Sequence, residues 1–278
     1  MKKSTSTFSF IAFVFSIIII TGCNKDIKLP TDKIEEDTST LRAVDLGLSV
    51  KWASINVGAS SIYDPGEYFA WGETSEKMSY DEDNYKFHRA EKAHYACDTY
   101  IISDGEKELT STTEKEAGTV YSKYWINNLK DDFLGDIVKF EYRWLDFFPD
   151  NKTKLEINDN DDNKNDDCAF ARLGKGWRMP TKEECMELVS KCKIELKLKE
   201  NYQSVFEITG PNGNHIDFPT EGGYKRNNAK RASSVYLWTS EIDQNNPENA
   251  FYLYISSGDY DCSSYPRIYG LSVRAVRD

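Results

Sequence analysis

The residues that could do chemistry are six cysteines, three histidines, one dense acidic run and a late supply of aromatic rings. Cys23 stands near the start, and Cys97, Cys168, Cys185, Cys192 and Cys262 lie in the body of the chain. Outside a reducing compartment, five body cysteines leave at least one thiol unpaired or paired between chains. Cys185 and Cys192 are seven residues apart on an expected helix, about 10 Å along its axis, too far for a mutual bridge. Each either pairs elsewhere or packs as a small apolar residue. His88, His94 and His215 have no close metal-ligand spacing, and no Gly-x-Ser-x-Gly elbow is present. Glu67 and Glu73 flank Tyr68 to Gly72 as paired carboxylates, for which a structural role is the first reading.

The run from Asn158 to Asp167 alternates oxygen ligands of the kind Ca²⁺ accepts, with Asp159, Asp161 and Asn163 as the candidate calcium ligands. Against an EF-hand, Lys164 stands where the turn wants Gly and Phe170 where the loop wants a bidentate Glu. A solvated acidic loop is therefore the first reading, and calcium the alternative. The aromatic rings are the better lead to recognition. Tyr224, Tyr236, Trp238, Tyr260, Tyr265 and Tyr269 lie in or beside Gly-, Asn- and Ser-rich stretches, where rings give contact area at low entropic cost. The candidate ligand contacts are Tyr224, Trp238, Tyr260, Tyr265 and Arg267. Core packing is the default for Trp238, and exposure is expected for Tyr260 and Tyr265.

These groups need elements to position them. Leu48, Val50 and Trp52 alternate with Ser49, Lys51 and Ala53, the period of a half-buried strand. Val205 to Ile208 and Ile216 to Phe218 flank Gly210-Pro211-Asn212-Gly213, a hairpin with a turn between its strands. Phe251, Leu253 and Ile255, then Leu271, Val273 and Ala275, alternate in the same way, so the chain finishes on strands. One helix is signalled: Thr181 and Glu184 form a capping box ahead of Cys185, Leu188, Val189 and Cys192 at helical spacing. One clear helix among several strands predicts an α+β fold with mostly antiparallel sheets and one or two main helices. Between Ser79 and Asp167 the pattern is poor; short helices are expected near 120–129 and 133–148, where Trp125, Leu129, Phe133, Ile137 and Phe140 are roughly helically spaced.

The chain has 278 residues with 35 Lys+Arg against 46 Asp+Glu, a net charge of −11. That excess of acid argues against nucleic acid as a partner, since phosphate contacts need clustered bases. Lys2 and Lys3, the apolar run from Phe8 to Ile20 and Ile20-Thr21-Gly22-Cys23 resemble a bacterial lipoprotein signal, with residues 1–22 removed and Cys23 acylated, palmitate-type chains included. The apolar run is shorter than the ~20 residues of a membrane span. Losing Lys2 and Lys3 makes the mature chain more acidic still, so lipid rather than charge would supply membrane attachment. Residues 23–41 are polar, acidic and free of aromatics, a flexible tether. Lys25-Asp26 and Glu35-Glu36-Asp37 loosely resemble charged signals that sort lipoproteins outward.

Four ordered blocks resemble one family: Val44 to Ala53 with Asn56 to Ala59; Tyr68 to Thr74; Gly176 to Thr181; and Tyr269 to Arg274. Phe218 to Tyr224, Leu237 to Ser240 and Ala250 to Tyr254 extend the likeness. Together they look like the FISUMP-type major paralogous domains of bacterial surface lipoproteins, which are similar to the C-type-lectin-like fold. The resemblance implies one such domain over 42–278, interrupted by an insertion at about 85–165, with its first and last strands as neighbours. Ile55 stands where such sequences often carry a cysteine, so the family's disulfides do not transfer.

The resemblance implies an outer-membrane lipoprotein, facing the cell surface or the periplasm, that displays a ligand-binding or adhesion domain for protein or glycan. An assembly subunit of a surface complex is the alternative. Formylglycine-generating enzymes share the fold and use a late cysteine pair to activate oxygen; Cys262 has no second cysteine after it, so a binding module, not an enzyme, is expected. Asn246-Pro247-Glu248-Asn249 resembles in passing the Pro-flanked set of sugar-binding lectins, but no Trp-Asn-Asp follows. Calcium-dependent sugar binding is not supported on that count.

Overall fold

Alternation of apolar with polar residues builds most of this chain into strands. The computed structural model describes residues 40–89, 91–158, 160–161, 164–199, 203–220 and 234–278. Residues 1–22, and all but the last two of the expected tether, lie outside that set. The fold is α+β: mostly antiparallel sheets with two short helices.

In chain order the elements are β1 (Ala43–Val44), β2 (Lys51–Ala53), β3 (His94–Ser103), β4 (Glu106–Glu116), β5 (Asp132–Leu134), β6 (Val138–Trp144), α1 (Cys168–Leu173) and α2 (Lys182–Lys191). They continue with β7 (Lys193–Leu198), β8 (Ser204–Thr209), β9 (His215–Pro219), β10 (Val235–Ile242), β11 (Asn249–Ser256), β12 (Asp259–Pro266) and β13 (Val276–Arg277). Among the described residues these strands form four sheets, ordered β1-β2-β13, β4-β3-β6-β5, β7-β8-β9 and β10-β11-β12. The first brings the two ends of the domain together, with Val276 opposite Trp52 and Arg277 opposite Lys51.

Local signals translate directly where they are short-range. Thr181 accepts from the Glu184 backbone while the Glu184 carboxylate accepts from the Thr181 N–H, so α2 begins on the expected capping box. Its Cys185, Leu188 and Val189 face inward. They pack in one core with Phe206, Ile208, Phe218, Leu253, Ile255 and Cys262. The β8–β9 hairpin turns at Gly210 to Gly213, as the Pro and Asn-Gly require.

Two expectations are overturned. Neither 120–129 nor 133–148 is helical: the first is irregular and the second holds β5, a turn and β6. Val138, Phe140, Tyr142 and Trp144 alternate with Lys139, Glu141 and Arg143, a strand period that outweighs the helical spacing. Gly135, at φ +62°, turns the chain between the strands. The segment 271–275 is also not an alternating strand; it is buried throughout, tied by single bridges from Leu271 to Phe69 and from Ser272 to Leu237.

The expected insertion at about 85–165 divides in two. β3 to β6 form their own four-stranded sheet. Tyr85, Phe87, Tyr121, Tyr124, Trp125 and Leu155, in contrast, share a core with Phe69, Trp71, Trp238 and Leu271. Two fully buried arginines pin these parts. Arg274 donates to Asn56 Oδ1, the Ala53 carbonyl and the Asp217 carbonyl and lies over the Phe218 ring. Burial pushes its guanidinium down to about 9, against the opposing pull of Asp217. The second arginine, Arg267, builds the site.

Candidate ligand-binding cleft

Arg267 follows the end of β12, and its side chain is buried completely. Its Nε donates to the Tyr85 hydroxyl at 2.7 Å, Nη2 to the Lys123 carbonyl at 2.7 Å, and Nη1 to the carbonyls of Tyr124 at 3.0 Å and Pro247 at 3.2 Å. The Tyr121 ring lies 4.6 Å from the guanidinium and the Trp71 ring 5.3 Å. A buried cation without such partners would cost several kcal/mol. Carbonyls, a phenol and ring faces supply the compensation here, and in doing so they bind segment 123–124 to segment 247–248.

Tyr124 is held against its preference. Its φ is +57°, a left-handed conformation that costs a bulky residue about 1–3 kcal/mol. Both Asp150 carboxylate oxygens accept at this point, from the N–H groups of Tyr124 and Trp125, each at 2.9 Å. The Tyr124 hydroxyl donates to Asp166 at 2.6 Å and accepts from the Glu156 N–H at 2.9 Å. Asp166 also pairs with Lys86 and Lys123. Burial would raise its carboxyl, but these donors carry it below its ordinary range. The strained residue is thus fixed at both backbone and side chain, and it delivers Trp125 into a cleft.

That cleft measures about 300 Å³, at the lower end of small-molecule sites. Tyr95 from β3, Trp125 and Trp144 from β6 provide its rings, and Asn128, Asn245, Asn246, Glu116 and Glu248 its polar groups. Trp144 stands edge-on to Tyr95 at 6.0 Å and to Phe147 at 5.1 Å, and Phe147 edge-on to Trp125 at 6.4 Å. Trp125 is buried, and its Nε1–H has no hydrogen-bond partner among the described residues. The opposite wall is a tight turn: Asp243 accepts from the Asn245 N–H, the Asn249 N–H donates to the Asn246 carbonyl, and the Arg267 N–H donates to the Glu248 carbonyl. Burial raises the Glu248 carboxyl above its ordinary range, and the charge of Glu82 adds to that shift. A neighbouring hollow of about 480 Å³ shares Tyr95, Asn128 and Leu129 with the cleft.

The structure disperses the residues expected from sequence. Trp238 and Arg267 are corrected as ligand contacts: both are fully buried, Trp238 donating through Nε1 to the Phe69 carbonyl at 2.8 Å. Arg267 instead supports the cleft from beneath. Tyr265 is half-buried in a ring series with Tyr252 and Tyr269, and Tyr260 is 51% exposed on the opposite face of β12. Tyr224, Cys23, Asp159 and Asn163 lie outside the described residues. Asp161, the remaining calcium candidate, is ion-paired with Lys164 at 3.0 Å. The turn at 245–248 lines the cleft.

None of the five body cysteines is joined in a disulfide among the described residues. Burial pushes the Cys262 thiol up to about 12, away from the thiolate that reacts. Sequence reasoning missed Tyr95, Trp125, Asn128 and Trp144. The signal was present in Trp125-Ile126-Asn127-Asn128, an aromatic beside amides. No helix among the described residues is long and apolar enough to cross a membrane. Compared with models of known families, with curated proteins and with solved structures, the chain matches none.

Proposed function

We propose that this chain is a lipoprotein, acylated at Cys23 and held at the outer membrane by its 23–41 tether, whose C-type-lectin-like, FISUMP-type domain binds a ligand. The observation that carries the binding reading is the cleft between Trp144 and the 245–248 turn, where strain at Tyr124 is maintained by Arg267 and Asp150. Strain kept in place by surrounding structure concentrates at ligand sites. The pairing of β2 with β13 supports the lectin-like reading, since that fold brings its ends together. Burial of Cys262, with its thiol raised, favours binding over cysteine-based oxygen chemistry.

Two measurements test the proposal. Fatty-acid labelling of the full chain should disappear in Cys23→Ser, with release from membranes. A combined glycan and protein array should give a reproducible hit that Trp144→Ala weakens.

The assembly reading is favoured by one feature, the exposed apolar tip of Phe133, Leu134 and Ile137 between β5 and β6. Array silence, together with surface proteins that co-purify with the wild type and are lost from Leu134→Asp, would favour it.

A further inference from the structure

Resting on the binding reading, we infer that the cleft takes an uncharged saccharide, stacked on the rings of Trp144 and Tyr95 and held at its edges by Asn128, Asn246 and Glu248. A pyranose has axial C–H faces that are apolar and a rim of hydroxyls, each both donor and acceptor. The cleft offers the complement of that pattern. Its lining combines the rings of Tyr95, Trp125 and Trp144 with primary amides, which donate and accept from one plane, and with carboxylates, which accept from hydroxyls.

Charge narrows the class. Among the described residues lining the cleft, Glu116 and Glu248 are acidic and none is basic. Of the cations around it, Lys92 is paired with Glu116 and Arg89 with Asp146, while Lys115 and Lys130 line the neighbouring hollow and not this cleft. Within the cleft, a uronic or sialic acid unit would meet the Glu248 carboxylate with no base in the lining to receive it. Glu82 adds to the same negative field at Glu248.

Geometry argues for a small, rigid ligand over a peptide. Of the edge strand β4 only its last residue, Glu116, lines the cleft, too short a stretch to pair with an extended backbone, and the volume suits a mono- or disaccharide unit. No metal enters this scheme, because amide and carboxylate groups contact the hydroxyls themselves.

The test is a glycan array carrying neutral and acidic oligosaccharides, probed with the full chain in a sugar-free detergent and repeated with a chelator. Peptides are printed beside the glycans. Binding is expected on neutral glycans, weaker by tenfold or more on their uronate or sialylated counterparts, and unchanged by the chelator. Asn128→Ala and Asn246→Ala, exposed residues whose side chains make no hydrogen bond among the described residues, should each weaken it by about tenfold, the loss of one hydrogen bond to a ligand hydroxyl. Selective binding to acidic glycans, loss with chelator, or indifference to both variants overturns the saccharide inference. Peptide binding that these variants abolish also overturns it, yet leaves the binding reading intact. Silence on glycans and peptides alike overturns both.

Discussion

The guanidinium of Arg267 donates to the carbonyl of Tyr124 at 3.0 Å, and Tyr124 holds a φ of +57°. A residue near the C-terminus thus stabilises an unfavourable backbone 143 residues earlier. Replacing Arg267 with Met should cost about 3–5 kcal/mol, because three carbonyls and a phenol lose their donor. Hydrogen exchange in Arg267→Met should rise at 123–125 and 245–248 before it rises at β10 and β11. Uniform acceleration across the domain would mean that Arg267 supports the whole core and not the cleft.

The Tyr124 hydroxyl joins Asp166 to the Glu156 backbone. In Tyr124→Phe the ring contacts with Trp71 and Phe87 remain, so the loss isolates the hydroxyl. A fall of about 1–3 kcal/mol in denaturant unfolding is expected, with the m-value unchanged.

Helix α2 was legible in the sequence because a capping box is read within four residues, and the β8–β9 turn because Pro and Asn-Gly act locally. The cleft was not. Its rings come from positions 95, 125 and 144 and its far wall from 245–248, and no local pattern joins them; the link is a buried arginine. Arg267 among late aromatic loops read as a surface contact, since sequence does not distinguish a guanidinium aimed at ligand from one satisfied by carbonyls. Spacing misled at 125–140 because five apolar positions matched a helix across Gly135, while the true period of two lay in the next strand.

Asp167 caps α1, accepting from Phe170 N–H at 3.0 Å and Met179 N–H at 2.8 Å. Full burial pushes its carboxyl up to about 6, against the pull of those N–H groups. The folded state therefore holds the proton more tightly than the unfolded chain. This contribution is complete below the ordinary value of 3.8 and is lost as pH rises through about 6. The shift corresponds to about 3 kcal/mol across the window. Asp167→Asn should flatten the slope of stability between pH 4 and 6; an unchanged slope would assign it to other carboxyls.

At α2, Arg178 donates to both Glu184 oxygens, at 2.6 and 2.9 Å. Burial alone would raise the Glu184 carboxyl, but Arg178 and the Thr181 N–H carry it below 4.5. Its contribution is present above that value and disappears as pH falls through the lowered one, opposite in sign to Asp167. Thr181→Ala should cost about 1 kcal/mol by thermal unfolding, and Glu184→Gln should remove the acid-limb slope.

Native thiols should be nearly silent. Burial raises Cys185 well above its usual range, Cys262 to about 12 and Cys192 to about 11. Cys192, half-buried at the end of α2, should react first with a thiol reagent, and Cys185 and Cys262 only on unfolding. Rapid labelling of Cys262 in the native protein would reopen a catalytic role.

The most direct test of the cleft is ¹⁹F NMR of the full chain labelled with 5-fluorotryptophan, its six resonances assigned by single Trp→Phe variants and followed while the strongest array ligand is added. The resonances of Trp125 and Trp144 should move together and saturably, while that of the buried Trp238 stays fixed. Movement at Trp238 with Trp125 and Trp144 unchanged would contradict the assignment and return the binding site to the β10-β11-β12 sheet.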